Sequence, residues 1–433
     1  MNHAFAAAWR HRRLWLLLLV ALGLRLLLLP LPDPFQADLS TFWLPWMRYG
    51  AQHGLAQLYL HGEPVVNYPP LYLLLLVGLG KLYGGLIPDF AYTPLQSVLV
   101  KAPAVLADLV VAVLLYGAAR RWLRPRADEP IALLAAALWT LNPAILYVSA
   151  YWAQVDSLHT LWMLAALLAA LARRWGWSGV LMGLALLTKL HAVVLLPLLL
   201  LLAWRNSRRA VLLGGLGLAS TLLLGLLPLI LQGAGREMLA AYAGAVGFYP
   251  RLSLNAFNGW FVVQSLAAQW LHRDLLDTAR VLGPITLRWL GLGLLASYTA
   301  LLLARLWPLV GQVTEDQPQP VLRYQSVFFA AGLLVFGFFS LATEMHERYG
   351  LPALAFLALP AARWRAVRLP YLLLTAAFSV NLLRVLPWGP GLLRLLEHIP
   401  ADRLLVSLVN VMLFIWLTRL YLMGTRRSNP ETY

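Results

Sequence analysis

The sequence predicts an all-α polytopic membrane protein with about 12 (roughly 11 to 14) transmembrane helices, and with amphipathic helices beside the membrane in its first outer loop. Two properties of its 433 residues support this prediction: 61% are hydrophobic and 12% are charged, and the mean hydropathy is +0.71. A soluble domain could not keep so much apolar surface away from water. The chain has no cysteine, which excludes disulfides, thiolate nucleophiles and cysteine-ligated metals.

Long apolar runs recur along the chain, and a membrane span needs about 20 such residues. The first run, Leu14 to Pro30, follows Arg10, Arg12 and Arg13 as a signal peptide would. It lacks a small-residue cleavage site and further apolar runs follow, so we expect a retained first helix. The candidate helices cover residues 14–31, 97–118, 130–149, 155–172, 177–188, 190–204, 210–231, 283–305, 324–341, 349–361, 369–387 and 404–422.

One further apolar run, Pro69 to Gly85, decides the predicted topology. If it does not cross the membrane and the N-terminus is cytoplasmic, the arginine-rich loops, such as 120–126 and 363–368, all fall inside. The positive-inside rule therefore favours a helix that lies in the interface, with both termini cytoplasmic. Residues 32–96 and 232–282 then form two large outer loops, and an aromatic-rich stretch in the first suits a helix at the membrane surface.

The formal net charge of +16 would suggest a nucleic-acid partner in a soluble protein. Here the arginines cluster in short loops beside apolar runs. The charge therefore indicates orientation by the positive-inside rule and contact with anionic membrane lipids, and no nucleic-acid partner is expected.

Polar residues at the predicted outer side supply what a reaction on a lipid-linked anion needs. A carboxylate can remove the proton of an attacking hydroxyl group, and cations can stabilise a departing phosphate. This inventory suffices for glycosyl transfer from a polyprenyl-phosphate sugar. Its members are Asp33, Asp38, Glu63, Asp156, Glu344, Glu347, Lys189, His191, His346 and Arg348.

Five short segments carry a resemblance to a known family. They are Phe35 to Phe42 (FQADLSTF), Asn67 to Tyr72 (NYPPLY), Tyr151 to Asp156 (YWAQVD), Leu187 to Lys189 (LTK) and Met345 to Tyr349 (MHERY). In this order, over most of residues 10–360, they resemble the GT-C superfamily of integral membrane glycosyltransferases, and in particular the bacterial relatives of the enzymes that depend on dolichyl-phosphate glucose or mannose. The resemblance implies one GT-C-like transmembrane domain over residues 1–433, which works without a metal or another cofactor.

The resemblance also implies roles for individual residues. Asp38 matches the catalytic base, with Asp33 as the fallback; from the residues alone, Asp38 could instead cap the helix that follows. Lys189 matches a position near the donor phosphate, and we assign His191, two residues later, and Arg348 to binding of the same phosphate. The alternatives are a lysine that snorkels to the headgroups and a local surface pair of Arg348 with its glutamate neighbour.

Two further groups complete the predicted site. Sugar or acceptor binding is assigned to Tyr151, Trp152, Gln154, Asp156, His346, Glu347, Asn255 and Trp260, with an interfacial aromatic belt and a polar anchored loop as the alternatives. Structural support is assigned to Asp108, Tyr68, Pro69 and Pro70, because an intramembrane acid needs a partner and prolines suit a first helical turn. Asn67 departs from the acidic residue often found in relatives, which puts a second carboxylate there in doubt.

The predicted function is an inverting glycosyltransferase that moves a sugar, expected to be a hexose, from a polyprenyl-phosphate donor to a hydroxyl group. The acceptor is a lipid-linked glycan, a glycolipid or a protein, at the outer face of a bacterial cytoplasmic membrane, and the enzyme is expected to be a monomer. The alternatives are a multi-pass transporter or lipid-glycan flippase and a non-catalytic assembly subunit. Transporters usually place polar residues at the midplane, where this sequence offers little beyond Asp108.

Overall fold

The computed structural model describes residues 11–32, 37–122, 129–244, 249–311, 320–389 and 402–425, together with Gly247, Gly391 and Arg394. Three residues of the sequence-based predictions, Asp33, Phe35 and Gln36, lie outside this part of the chain.

The described part of the chain is almost entirely helical, as the sequence predicts. Its α-helices are α1 (Arg12–Leu28), α2 (Leu44–His53), α3 (Leu55–His61), α4 (Pro70–Leu86), α5 (Pro94–Trp122), α6 (Glu129–Thr140), α7 (Pro143–Leu146), α8 (Asp156–Leu171), α9 (Trp175–Thr188), α10 (Leu196–Asn206), α11 (Arg208–Leu231), α12 (Gly235–Ala243), α13 (Gly259–Leu271), α14 (Leu287–Leu306), α15 (Pro320–Leu341), α16 (Pro352–Arg363), α17 (Arg365–Val385) and α18 (Asp402–Gly424). Two π-helical turns, Leu39–Trp43 and Tyr147–Tyr151, and two 3₁₀ turns, Leu190–Leu195 and Trp307–Leu309, interrupt this series.

Among the described residues, six helices are long and apolar enough to cross a membrane: α5, α11, α14 with its 3₁₀ extension, α15, α17 and α18. A seventh span exists if α6 and the segment Pro143–Tyr151, which meet at a 43° bend, are counted together. The other apolar helices have 10–17 residues. At 1.5 Å per residue a helix of 14 residues is about 21 Å long, which is shorter than a bilayer core of about 30 Å. The predicted number of about 12 spans is therefore not confirmed.

The described residues of the segment predicted to form the first outer loop contain short helices. The helix α2 follows directly on the π-helical turn Leu39–Trp43 and buries Trp46 and Met47. The apolar run that decides the predicted topology, Pro69 to Gly85, forms α4, a helix of 17 residues that starts at Pro70. The helix α4 is apolar and shorter than the six candidate spans.

Four helices determine which residues meet at each end of the bundle. One end of α8 is Asp156 and its other end is Leu171, while α9 returns from Trp175 to Thr188. The helix α10 runs back towards Asn206, and α15 runs from Pro320 towards Leu341. Residues that follow or precede these helices are thereby gathered at two opposite ends, although they are far apart in sequence.

Two short strand pairs are the departures from a purely helical fold in the described part of the chain. The strand β1 (Ser253–Leu254) pairs in parallel with β4 (Met345–His346), and β2 (Arg280–Leu282) pairs in antiparallel with β3 (Ile285–Thr286). The first pair fixes the segment after α15 against the second predicted outer loop.

Candidate active site

Asp38 lies at the start of the π-helical turn that leads into α2. Its side chain makes no capping hydrogen bond to that helix. Instead, its Oδ2 atom accepts hydrogen bonds from the Trp152 indole, at 2.6 Å, and from the Gln154 amide, at 2.5 Å. Both donors bind the same oxygen of a half-buried carboxylate. Neither of these two donors occupies a lone pair of the other oxygen, Oδ1.

The two donors are presented by a short connection between a π-helical turn and α8. Tyr147–Tyr151 is π-helical, and Ala153 then adopts a left-handed backbone with φ of 67°. This conformation is costly for a residue with a side chain and is found mainly where the surrounding structure requires it. It turns Trp152 and Gln154 towards Asp38, and both donors are themselves buried.

Asp156, the first residue of α8, forms a buried ion pair with Lys189, which follows α9. The lysine Nζ atom donates to both carboxylate oxygens, each at 2.9 Å. The same ammonium group lies 5.8 Å from the Tyr68 ring and 5.7 Å from the Tyr349 ring. Lys189 therefore contacts an acid and two aromatic faces, which stabilise its charge away from water.

Arg348 forms the second buried ion pair of the site, with its neighbour Glu347, through Nη1 at 2.5 Å from Oε1. Its Nε atom lies 3.8 Å from Asp156 and has no hydrogen-bond partner among the described residues, although it is buried. Burial disfavours ionisation of Glu347, but the Arg348 charge and a hydrogen bond with His346 outweigh it and lower the Glu347 pKa to about 2. Glu347 is therefore ionised at every physiological pH.

The Trp152 indole joins the two halves of the site. Its N–H group donates to Asp38, and the guanidinium carbon of Arg348 lies 5.8 Å from its ring centre. A carboxylate and a cation thus lie against the edge and the face of one aromatic ring. An arrangement of this kind can place a base and an anion-stabilising group on neighbouring sides of a bound molecule.

Aromatic and imidazole rings close the site on two sides. Tyr68 contacts Trp43 edge to face at 5.0 Å, and its carbonyl accepts a hydrogen bond from Tyr59. On the other side His191 stacks on Tyr349 at 4.6 Å and meets His159 edge to face at 4.2 Å. Pro69, which follows Tyr68, is the N-cap residue of α4, and Pro70 is the first residue of that helix. Tyr68 therefore leads directly into α4.

Three carboxylates and two cations therefore meet at this end of the bundle. The carboxylates are those of Asp38, Asp156 and Glu347, and the cations are Lys189 and Arg348. Each cation already has a carboxylate partner, so an arriving phosphate must compete with these partners or use the unpaired Nε of Arg348. Among the described residues, no group of three or more His, Asp or Glu side chains is placed to hold a metal ion.

Some predicted residues lie beside the site in other roles. Tyr151 stacks on Trp388 at 4.3 Å, and Asn255 forms a backbone bridge with His346. The Trp260 indole donates to the Leu341 carbonyl at 2.7 Å, at the end of α15. These contacts pack the segments at this end of the bundle together, and the predicted roles of the three residues in sugar or acceptor binding stay predictions.

Asp108 lies in the interior of α5 and has a partner that the sequence analysis did not identify. Its Oδ2 atom accepts hydrogen bonds from Arg25 Nε at 2.8 Å and from Ser149 at 2.6 Å. Lys101 points elsewhere and donates to the Leu31 carbonyl at 2.7 Å. Ser149 belongs to the π-helical turn before Trp152, so Asp108 ties α1 and α5 to the segment that orients Asp38.

Sequence reasoning missed three residues around the site. His159 is fully buried against His191, Tyr349 forms one wall, and Arg25 holds Asp108. The motif Met345 to Tyr349 contained the signal for Tyr349, since it places an aromatic ring next to Arg348. Arg25 also carried a signal, because an arginine inside an apolar run needs a buried partner or a route to water.

The chain was compared with protein-family models, with curated proteins and with solved structures. Residues 49–261 match the family model described as "GPI transamidase subunit PIG-U", which is just under half of the chain. No curated protein matches. A similar solved structure is the archaeal oligosaccharyltransferase AglB from Archaeoglobus fulgidus in complex with an inhibitory peptide and a dolichol-phosphate, with 18% identity and a TM-score of 0.39. The alignment covers 99% of this chain and 57% of that one, so this chain spans less than two thirds of the length of AglB.

Proposed function

We propose that this protein is a GT-C-like membrane transferase that moves a sugar from a polyprenyl-phosphate donor to a hydroxyl acceptor, with Asp38 as the base. The observation that carries the proposal is the pair of contacts made by Trp152. Its indole holds the Asp38 carboxylate at its edge and the Arg348 guanidinium at its face, at 2.6 Å and 5.8 Å respectively. Base and cation are thereby kept close to each other without forming an ion pair with one another.

In the proposed reaction the acceptor oxygen attacks the anomeric carbon while its proton passes to Asp38. The bond between that carbon and the phosphate oxygen breaks, and the electron pair leaves with the polyprenyl phosphate. Because this is one displacement, the anomeric configuration inverts. Proton removal during attack typically contributes about 10²- to 10⁴-fold to the rate, and positive charge beside the departing oxygen adds to this.

Two unpaired groups support binding of a polar ligand at this place. The Nε–H of Arg348 and the Oε1 of Gln154 are buried and have no hydrogen-bond partner among the described residues. Buried polar groups are normally satisfied. One is a donor suited to a phosphate oxygen and the other an acceptor suited to a sugar hydroxyl group.

Lys189 and Arg348 are proposed to stabilise the leaving phosphate. Each would exchange part of its contact with Asp156 or Glu347 for a phosphate oxygen. Asp156 and Glu347 would then hold the two cations in place while the donor is absent. The family match, to a model described as "GPI transamidase subunit PIG-U", supports a broad link to transferases of lipid-linked glycans.

The test is transfer of radiolabelled sugar from a panel of polyprenyl-phosphate monosaccharides by purified protein in native lipid extract. Wild type is compared with Asp38→Asn and with Asp89→Asn, a matched control at an exposed acid whose carboxylate binds the Ala91 amide. We expect label in a new lipid or protein band with wild type and Asp89→Asn. Asp38→Asn should bind donor with unchanged affinity and lose at least about 10²-fold in turnover.

Undiminished turnover in Asp38→Asn would remove the base assignment. If no variant transfers label but the donor crosses the bilayer of proteoliposomes, a transporter or flippase replaces the transferase.

A second candidate is a subunit that binds a lipid-linked glycan without transferring it. It is favoured by the pairing of both cations with carboxylates and by the name of the matched family, which is that of a subunit. The same assay separates the two, because a binding subunit retains the donor in wild type but transfers no label.

A further inference from the structure

The bundle end opposite the Asp38 cluster contains a second enclosed polar site. A cavity of about 90 Å³ lies between the last turn of α8, the start of α9, the end of α10 and the start of α15. The same four helices lead to Asp156, Lys189 and the segment after Leu341 at their other ends. With 16 residues in α8, the two sites are about 24 Å apart.

Three arginines line this cavity: Arg173, Arg205 and Arg323. No acidic side chain is among the described residues that line it. Like charges repel one another when they share a confined space, so a cluster of this kind is stabilised by an anion between them. This differs from the Asp38 cluster, where every cation is paired with a carboxylate of the chain.

Two of these guanidinium groups have a buried donor that lacks a hydrogen-bond partner in the described part of the chain. The Nε atoms of Arg205 and Arg323 are buried and have no hydrogen-bond partner among the described residues. Arg205 is held by its face against Trp307, at 4.6 Å from the ring centre, which leaves its N–H edge free to bind a ligand. A buried donor without a partner is rare and indicates a missing acceptor.

Arg173 occupies a position that also points to a ligand. It follows α8 with a left-handed backbone, φ of 58°, where its N–H group closes the helix on the Ala170 carbonyl. Glycine usually occupies this place because it adopts the conformation without strain. An arginine in this conformation is less favourable than a glycine, and it brings a guanidinium group to the cavity.

We propose that this cavity binds a phosphate group. The planar guanidinium group can donate parallel hydrogen bonds to the oxygens of a phosphate. A phosphate can therefore be the anionic partner of the three arginines in place of a carboxylate. Trp177, Trp204 and Trp307 are exposed around this end of the bundle, as expected at the level of the lipid headgroups. An anionic lipid headgroup and a soluble phosphate offer the same chemistry, and the experiment distinguishes them.

The test is ligand-dependent stabilisation of the purified full-length protein after delipidation in an uncharged detergent. The unfolding temperature is followed during titration with short-chain phosphatidylglycerol, with inorganic phosphate and with uncharged diacylglycerol. Wild type is compared with Arg205→Gln, Arg323→Gln and the charge-retaining Arg205→Lys. The matched control is Arg209→Gln, which removes the same charge from an exposed position outside the cavity lining.

We expect phosphatidylglycerol to stabilise wild type and Arg209→Gln with equal midpoints, and diacylglycerol to have no effect. In both glutamine variants the midpoint should rise about tenfold or more, since each loses charge-assisted hydrogen bonds. Arg205→Lys should lie between them and wild type. Stabilisation by inorganic phosphate at similar concentrations would identify a soluble phosphate as the ligand, and stabilisation by the lipid alone would identify a headgroup.

Equal midpoints in wild type and in both glutamine variants would overturn the proposal, as would the absence of any phosphate effect on wild type. Glu315 and Asp316 lie in sequence between the lining residues Gly311 and Arg323. A variant with Glu315→Gln and Asp316→Asn should keep the wild-type midpoint. If phosphate binding occurs only in that variant, the chain's own carboxylates neutralise the arginines and the proposal is wrong.

Discussion

Asp38 and Asp108 are two carboxylates of one polar network with opposite surroundings. Asp38 is half-buried and is held by two neutral donors, Trp152 and Gln154. Asp108 is fully buried and is held by the Arg25 guanidinium and a serine hydroxyl. The Asp38 carboxylate makes no ion pair among the described residues, whereas the ion pair of Asp108 holds helices together in the interior. The partner therefore indicates the role better than the residue type does.

The largest effect should follow from breaking the buried pair of Arg25 and Asp108. We expect Arg25→Met and Asp108→Asn each to lower the free energy of unfolding by about 3–5 kcal/mol, because each leaves a charged or polar group buried without its partner. The double variant should lose less than the sum of the two. Equilibrium unfolding in detergent, arranged as a double-mutant cycle, measures this coupling.

Asp38→Asn is the matched comparison for that cycle. It keeps an acceptor for Trp152 and Gln154, so its stability should stay within about 1 kcal/mol of wild type. Equal destabilisation by Asp38→Asn and Asp108→Asn would mean that both carboxylates are structural, and the comparison between them would fail.

An intermediate effect should follow from removing one of the two donors that orient Asp38. Trp152→Phe keeps an aromatic face for Arg348 but removes the indole N–H group, and Gln154→Leu removes the amide. If Asp38 is the base, each change should lower kcat about tenfold, the loss expected for one hydrogen bond to a charged group, with little change in KM for the donor. Steady-state transfer assays measure both constants.

One result would contradict the role of Trp152 and Gln154 in orienting Asp38. If KM for the donor rises while kcat is unchanged, these side chains bind the sugar and do not orient a base. Trp152→Phe separates the two contacts of the indole, because only its edge is altered.

The positions of most helices could be predicted from the apolar runs of the sequence. The sequence also predicted that Asp38, Lys189 and Arg348 belong to one site, and they lie at the same end of the bundle, but the partner of each could not be predicted. Lys189 was expected to be available for a phosphate, but it is bound by Asp156, which lies 33 positions earlier. No local pattern reports a contact between the ends of different helices, since their packing determines it.

The helix irregularities and the number of spans were also beyond the sequence pattern. A π-helical turn widens a helix by one residue without changing its apolar composition, so neither Leu39–Trp43 nor Tyr147–Tyr151 was predicted. These turns reorient the chain next to Asp38 and next to its two donors. The sequence analysis did not identify the pairing of Arg25 with Asp108, because the two residues lie 83 positions apart.

Glu344 is a third carboxylate whose surroundings lie between those of Asp38 and Asp108. It is buried, it accepts the Gly247 N–H group with both oxygens at 3.0 and 2.8 Å, and it shares Arg288 with the buried Asp277. Burial is the largest cause, and hydrogen bonding and repulsion from Asp277 add to it, so the Glu344 pKa is raised to about 7 despite the arginine. It therefore titrates near neutral pH.

The smallest expected effect is the pH dependence that Glu344 gives to stability. Its pKa is higher in the folded state than the ordinary 4.5, so the native protein holds a proton that the unfolded chain has released. This contribution is fully present below pH 4.5 and is lost as the pH rises through about 7. Because Arg288 is partly exposed and water screens the group, we expect about 1 kcal/mol rather than the full linkage value. Unfolding measured from pH 5 to 8 should show wild type losing this amount relative to Glu344→Gln, whose side chain does not titrate; parallel curves would show that the Glu344 carboxyl does not hold its proton in the folded state.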